Sequence, residues 1–167
     1  ADKDKAGNIW ISQFTQCRMA KFDLKEETFT EFPALTAYED QHCLIRRGSV
    51  DKNGLVWYGV FSHGRIGKID PATGKTTEYK MPVSFAEPYD IWPDKDNNMW
   101  IADGAMGGAI IKFDEKTEKF TFYPTPQRGD LPKIADALSS SGFSDADVAN
   151  IMGGNWLRFF RQALPAG

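Results

Sequence analysis

Residues 51–57 read Asp51-Lys52-Asn53-Gly54-Leu55-Val56-Trp57, and shorter echoes of that phrase end at Trp10 (Lys5-Ala6-Gly7-Asn8-Ile9-Trp10) and at Trp100 (Asp96-Asn97-Asn98-Met99-Trp100, within 94–100). Each tryptophan is followed by a second shared block: Lys21-Phe22-Asp23, Lys68-Ile69-Asp70 and Lys112-Phe113-Asp114. An aromatic then stands nine positions after each aspartate, at Phe32, Tyr79 and Tyr123. The copies recur every 43 to 47 residues. A period in that range is the mark of a repeat architecture in which each copy is one supersecondary unit.

Within a copy the pattern is that of strands. Residues 99–102, 109–113 and 120–123 are short, rich in β-branched and aromatic residues, and separated by turn formers. In Asp70-Pro71-Ala72-Thr73-Gly74-Lys75 the aspartate side chain can accept from backbone amides, Pro71 fixes φ, and Gly74 supplies a positive φ before the next strand. Asp114-Glu115-Lys116-Thr117-Glu118-Lys119 occupies the same place without proline or glycine, and the loops 51–54 and 94–98 read as hairpin connections.

A four-stranded sheet of this size cannot bury both faces alone, so copies stack radially and the recurring tryptophan reads as packing between blades rather than ligand stacking. The fold class expected is mainly β: a partial β-propeller of about three four-stranded blades over residues 1–134, followed by a short α-helical appendix over 135–167. Propellers close with about four to eight blades. Three blades are therefore completed by the remainder of a longer chain, by copies of the same chain, or by another cover over an open array.

The β pattern stops after Tyr123-Pro124-Thr125-Pro126-Gln127-Arg128-Gly129-Asp130, and helical signals begin at Leu131. Ile134 and Leu138 share a face, with Gly142 as a stop. Ser144-Asp145-Ala146-Asp147 has the form of a capping box, flanked by Phe143 and Val148 at staple positions, and this second helix ends at Gly153-Gly154. Asn155 caps a third helix with Trp156, Phe160 and Leu164 on one face, ended by Pro165. About 35 residues are too few for a core of their own, so the appendix is expected to dock on an apolar surface such as the open side of the blades.

Composition narrows the function. A net charge of −3 with mixed signs offers no basic face to nucleic acid. No apolar run approaches the length of a membrane helix, and the N-terminus carries no signal-peptide core, so the chain reads as soluble, with a removed signal still open. Cys17 and Cys43 match no zinc or redox spacing; a disulfide between neighbouring blades and two buried thiols are both compatible with them. With His42 and His63 as the two histidines, a metal site would have to recruit distant carboxylates, and neither a metal nor another cofactor is expected. Gly104-Ala105-Met106-Gly107-Gly108 lies between strands and reads as a hairpin loop rather than a phosphate or dinucleotide cradle.

Gly7-Asn8-Ile9-Trp10, the run from Gly64 to Lys75, and Tyr123-Pro124-Thr125-Pro126-Gln127 together resemble the virginiamycin B (streptogramin) lyase-like propeller family over about residues 1–134. The resemblance implies a seven-bladed propeller, a bacterial source and a periplasmic or secreted location. For true lyases it implies Mg²⁺-assisted elimination that opens a cyclic depsipeptide, with histidines and a glutamate as the catalytic set. Such strands often carry Pro-His-Gly-Ile. Here the corresponding places read Pro88-Tyr89-Asp90-Ile91 and Ile45-Arg46-Arg47-Gly48, without the histidine, and the catalytic set finds no positions. The tail from Phe143 to Arg158, with its Gly153-Gly154-Asn155 run, resembles the C-terminal end of membrane (renal) dipeptidases, zinc-dependent barrel hydrolases whose barrel and zinc ligands are missing here. Residues 130–134 suit both families and read as a seam.

Propellers bind ligands where loops of successive blades meet at the channel mouth. Arg46, Arg47, His63, Tyr89, Asp90 and Arg128 lie near blade entries or loop ends and are the candidate ligand-binding residues. The structural alternative leaves Arg46 and Arg47 solvated or pairs them with Glu39 and Asp40, and uses Tyr89 for packing. The function expected is a non-enzymatic ligand-binding or scaffold module. Alternatives are a streptogramin-type lyase, which alone would call for Mg²⁺, and a fragment or fusion of a zinc dipeptidase. The partners expected are the chain itself or the rest of a longer chain, with no nucleic acid and no membrane.

Overall fold

The computed structural model describes residues 2–105, 108–125 and 131–151. Residues up to Thr125 form one compact unit and those from Pro126 a second. The division falls ahead of residue 134, because the last strand ends at Pro124 and a helix begins at Leu131.

The first unit holds three four-stranded antiparallel sheets, each in chain order. Blade 1 comprises β1 (Asp2–Lys3), β2 (Ile9–Gln13), β3 (Arg18–Asp23) and β4 (Thr28–Pro33). Blade 2 comprises β5 (Ile45–Val50), β6 (Val56–Val60), β7 (Arg65–Ile69) and β8 (Thr76–Lys80). Blade 3 comprises β9 (Pro88–Pro93), β10 (Met99–Asp103), β11 (Ala109–Asp114) and β12 (Lys119–Pro124). The first strands lie side by side, β1 by β5 and β5 by β9. These are the strands that line a propeller's channel.

The repeated phrase has a physical function in each blade. The Trp10, Trp57 and Trp100 indoles donate to Asp4, Asp51 and Asp94, each six residues earlier and each at 3.0 Å. The other oxygen of the same carboxylates accepts loop amides: Asn8 on Asp4, Asn53 and Leu55 on Asp51, Asp96 and Asn98 on Asp94. One aspartate thus shapes the hairpin and fixes the ring plane. The fourth-strand aromatic then packs on that ring, tilted for Trp10–Phe32 with centroids at 5.2 Å and stacked for Trp57–Tyr79 at 6.2 Å and Trp100–Tyr123 at 5.8 Å.

The seams between blades bury one chemistry against another. Blade 1 offers Trp10, Met19 and Phe32 to Val56, Tyr58 and Ile69 of blade 2. Blade 2 offers Trp57 and Ile66 to Met99, Ile101 and Phe113 of blade 3. A lysine thread crosses both seams, Lys5 Nζ donating to the Lys52 carbonyl and Lys52 Nζ to that of Lys95. Asn97 Nδ2 reaches back to Asp51, and Lys68 to Glu115 at 2.7 Å. Gly67 is required because a Cβ there would collide with the Tyr58 ring.

The turns follow the sequence reading. Asp70 accepts from the Ala72 amide and the Thr73 hydroxyl, with Gly74 at φ 73°. At the matching site blade 3 holds Glu118 at φ 53°, a left-handed conformation that a non-glycine residue adopts at a cost. In the second unit, α1 (Leu131–Ser140) ends at Gly142, φ 89°, and α2 (Asp145–Ala149) starts at Ser144, whose hydroxyl accepts from the Asp147 amide. The third helix expected after Asn155 and the glycine stop at 153–154 lie outside the described residues.

Two predictions follow from the aspartates. Asp51 is 4% exposed and serves four donors. Asp51→Ala should lower stability by about 3 kcal/mol, because the buried Trp57 indole loses its acceptor. Asp94→Ala, beneath a half-exposed Trp100, should cost distinctly less; urea midpoints compare them. Partial burial pushes the Asp94 carboxyl up, but hydrogen bonds from Asn98, Trp100 and loop amides outweigh it and hold the group well below the ordinary range; Asp4 is lowered by the same competition. Folded values below unfolded ones give stability that is complete above about pH 4 and lost as pH falls through the folded values. The urea midpoint should therefore drop below about pH 4, with a shallower drop in Asp94→Asn.

Candidate functional site

Two of the first strands are broken in the same place. On β5, Arg46 and Arg47 sit where the register with β6 shifts, between the Ile45–Val60 and Gly48–Tyr58 pairs. On β9, Tyr89 lies at the shift between the Pro88–Asp103 and Asp90–Ala102 pairs. A bulge leaves a residue out of the ladder and re-aims side chains. Gly59 beneath the β5 bulge is pressed by Pro88 of β9, and a Cβ there would overlap the Pro88 carbonyl.

The bulges bring four of the candidates together as two contacts between blades. The Arg46 guanidinium lies 4.7 Å from the Tyr89 ring centroid, and Arg47 Nη1 lies 3.6 Å from Asp90 Oδ2. Arg46 also stacks on Phe14 at 4.3 Å and on Phe61 at 4.9 Å, from the 3₁₀ turns Phe14–Gln16 and Phe61–His63 of blades 1 and 2. Three rings thus surround one cation. Arg46 Nε is buried and, among the described residues, has no hydrogen-bond partner. The pairing of these arginines with Glu39 and Asp40 is not seen among the described residues, where Arg65 takes Glu39 at 3.0 Å and His63 takes Asp40, while the Arg47 side chain is 66% exposed.

His63 stands beyond Phe61. Its Nε2 lies 3.1 Å from Asp40 Oδ2 and its Nδ1 2.7 Å from Ser62 Oγ, which accepts from the Leu44 amide. The His42 backbone amide is the main group holding the Asp40 carboxyl below its ordinary range. This network clasps residues 40–44 to the second 3₁₀ turn. A cleft of about 350 Å³ opens there, lined by Phe61, His63, Lys80, Met81, Phe85 and Glu87 among others. Phe85 is 93% exposed at φ 63°, an apolar side chain held out on a strained backbone. Arg128 lies outside the described residues.

Sequence reasoning missed Phe14, Phe61 and Phe85. The first two occupy equivalent positions ahead of left-handed residues, Cys17 and Gly64, which is the signal that would have paired them. Cys17 and Cys43 form a disulfide with Cα atoms 5.5 Å apart. It ties the turn that carries Phe14 to the segment that carries Asp40.

No family model and no curated protein matches the chain. Among solved structures it is similar to selenomethionine-substituted virginiamycin B lyase from Staphylococcus aureus, with TM-score 0.66 and 21% identity over 77% of this chain and 41% of that one. A streptogramin B lyase gives 0.65 and 26% over 75% and 39%. The extracellular domain of a one-component system from B. thetaiotaomicron gives 0.56 and 20% over 74% and 16%. The chain spans about two fifths of the length of the two lyases. This likeness establishes the propeller-blade fold over about three quarters of the chain. It lends no support to the dipeptidase resemblance of the C-terminal segment.

The disulfide closes a separation of 26 residues. Its reduction should lower unfolding stability by about 3 kcal/mol, read from urea curves with and without reductant; equal curves would mean that the packing around Cys17 and Cys43 holds this region unaided.

Proposed function

We propose that the blade array is a non-enzymatic module that binds a small molecule bearing an oxyanion, carboxylate or phosphate, at the paired bulges of β5 and β9. The observation that carries this reading is the buried Nε of Arg46, unpartnered among the described residues, inside three aromatic rings. A guanidinium edge presents two parallel N–H groups that match a carboxylate or phosphate. The rings orient the fork and strip water from it, so its ordering precedes ligand arrival. Leaving such a donor unpaired costs about 1–3 kcal/mol, which a bound oxyanion would offset. Arg47 is already engaged by Asp90, which leaves Arg46 as the recognising group. The cleft at Phe61, His63 and Phe85 shares a ring with the cage and is the natural seat for the rest of the molecule. The Cys17–Cys43 disulfide supports a periplasmic or secreted location.

Elimination of the lyase type is a second reading, favoured by the approach of both His42 and His63 to Asp40. Its metal requirement is not met by this set. Among the described residues no group of three or more His, Cys, Asp or Glu side chains is placed to hold a metal ion, the His42 side chain is 96% exposed, and Asp40 is engaged by the His42 amide.

Benzoate and phenyl phosphate are the probes, titrated calorimetrically. Arg46→Met keeps the apolar stem within the rings and removes the fork. Binding should weaken at least about tenfold, with thermal stability unchanged or raised because an unsatisfied buried donor has gone. Undiminished binding by Arg46→Met would sink the proposal, and the preferred probe identifies the class of oxyanion.

A further inference from the structure

Two charges of opposite sign share the neighbourhood of Phe61 and do not meet. The Arg46 guanidinium lies 4.9 Å from the centroid of that ring and forms no ion pair among the described residues. Glu87 lines the same cleft as Phe61, is half-buried, and its carboxylate takes no hydrogen bond or ion pair among the described residues. The backbone of Glu87 is nevertheless held from both sides: its amide donates to Asp103 Oδ1, and its carbonyl accepts from the Gly104 amide, each at 2.8 Å. Gly104 shows how near the two charges are set. A Cβ added there would stand 3.3 Å from the Glu87 carbonyl oxygen, 3.4 Å from the Phe61 ring and 3.5 Å from the Tyr89 ring. Both rings belong to the cage around Arg46. The other charged groups nearby are accounted for: Asp90 holds Arg47, Asp40 holds His63, and Lys80 is exposed, so water and salt screen it.

We infer that the molecule bound at this place is a free α-amino acid with an apolar side chain, its carboxylate on Arg46 and its ammonium on Glu87. The inference rests on the oxyanion recognition at Arg46 proposed above and adds the second charge. A simple anion would bring its own charge beside the half-buried Glu87 carboxylate, and like charges repel more strongly where water is thin. A ligand that carries an ammonium next to its carboxylate turns that repulsion into a charge-assisted hydrogen bond. Discrimination against plain acids thus comes from what the site repels as well as from what it binds. The size agrees: the cleft of about 350 Å³ is at the low end of small-molecule pockets, which span about 300–1,000 Å³. For the side chain the cleft offers buried Met81 and the exposed ring of Phe85, whose apolar surface an occupant would remove from water.

Calorimetric titration of the full chain tests this with L-phenylalanine, with 3-phenylpropionate, which lacks the ammonium, and with phenethylamine, which lacks the carboxylate. L-Phenylalanine should bind at least about tenfold more tightly than either. In Glu87→Gln the altered group has no partner to lose among the described residues, so circular dichroism and the urea midpoint should match the wild type. The preference for phenylalanine over 3-phenylpropionate should collapse in this variant to within about twofold. Binding of 3-phenylpropionate that equals or exceeds that of phenylalanine in the wild type overturns the inference and leaves the oxyanion reading at Arg46 in place. A phenylalanine preference that survives Glu87→Gln overturns it by removing Glu87 from the site, and phenethylamine that binds as tightly as phenylalanine overturns the carboxylate contact. Failure of all three probes together with benzoate and phenyl phosphate removes both readings.

Discussion

The hydrogen bond from a tryptophan indole to an aspartate six residues earlier is the contact on which the rest of this molecule is arranged. It joins a local requirement to a distant one. The carboxylate satisfies loop amides that a tight hairpin leaves unpaired, and with its other oxygen it pins a large ring flat on the sheet. A pinned ring is a surface on which a fourth-strand aromatic packs and against which a neighbouring blade can close. Each blade therefore makes its own half of a seam before meeting the next.

Burial along the array tracks the presence of a neighbour rather than the identity of the residue. Trp10 and Trp57 are buried beneath following blades, and Trp100, with the same aspartate and the same stacking partner, is half-buried because no fourth sheet follows it among the described residues. Apolar surface is stabilising only when something removes it from water, so a repeat array is defined as much by its ends as by its middle. Tyr58 shows the same economy at one position: its ring occupies the space that Gly67 leaves vacant, while its hydroxyl donates to Glu78. Burial, then the Glu78 charge, raises the phenol well above its ordinary pKa.

The candidate site uses the starts of β5 and β9, where the regular ladder is interrupted. Regular ladders point side chains alternately to the two faces of a sheet, and in blade 2 both faces are engaged in seams. A bulge frees residues from that alternation, and equivalent bulges on β5 and β9 place Arg46 beside Tyr89 and Arg47 beside Asp90. The same positions hold the places of the Pro-His-Gly-Ile element in the resembled family.

The repeat, the strands, the turn chemistry at Asp70 and the capping at Ser144 were legible in the sequence, because each depends on contacts within a few residues or on a period that recurs along the chain. The tryptophans could be read as packing residues for the same reason. Their aspartates were visible as loop formers, but the indole bond was not, since it depends on how the hairpin folds back. Tertiary structure alone decided that Arg46 enters a cage of Phe14, Phe61 and Tyr89, that Arg65 rather than Arg46 takes Glu39, and that Cys17 bonds to Cys43. Phe14 and Tyr89 come to Arg46 from the neighbouring blades, and the distance between two blades is fixed by how their faces pack, a quantity that no local pattern of residues encodes.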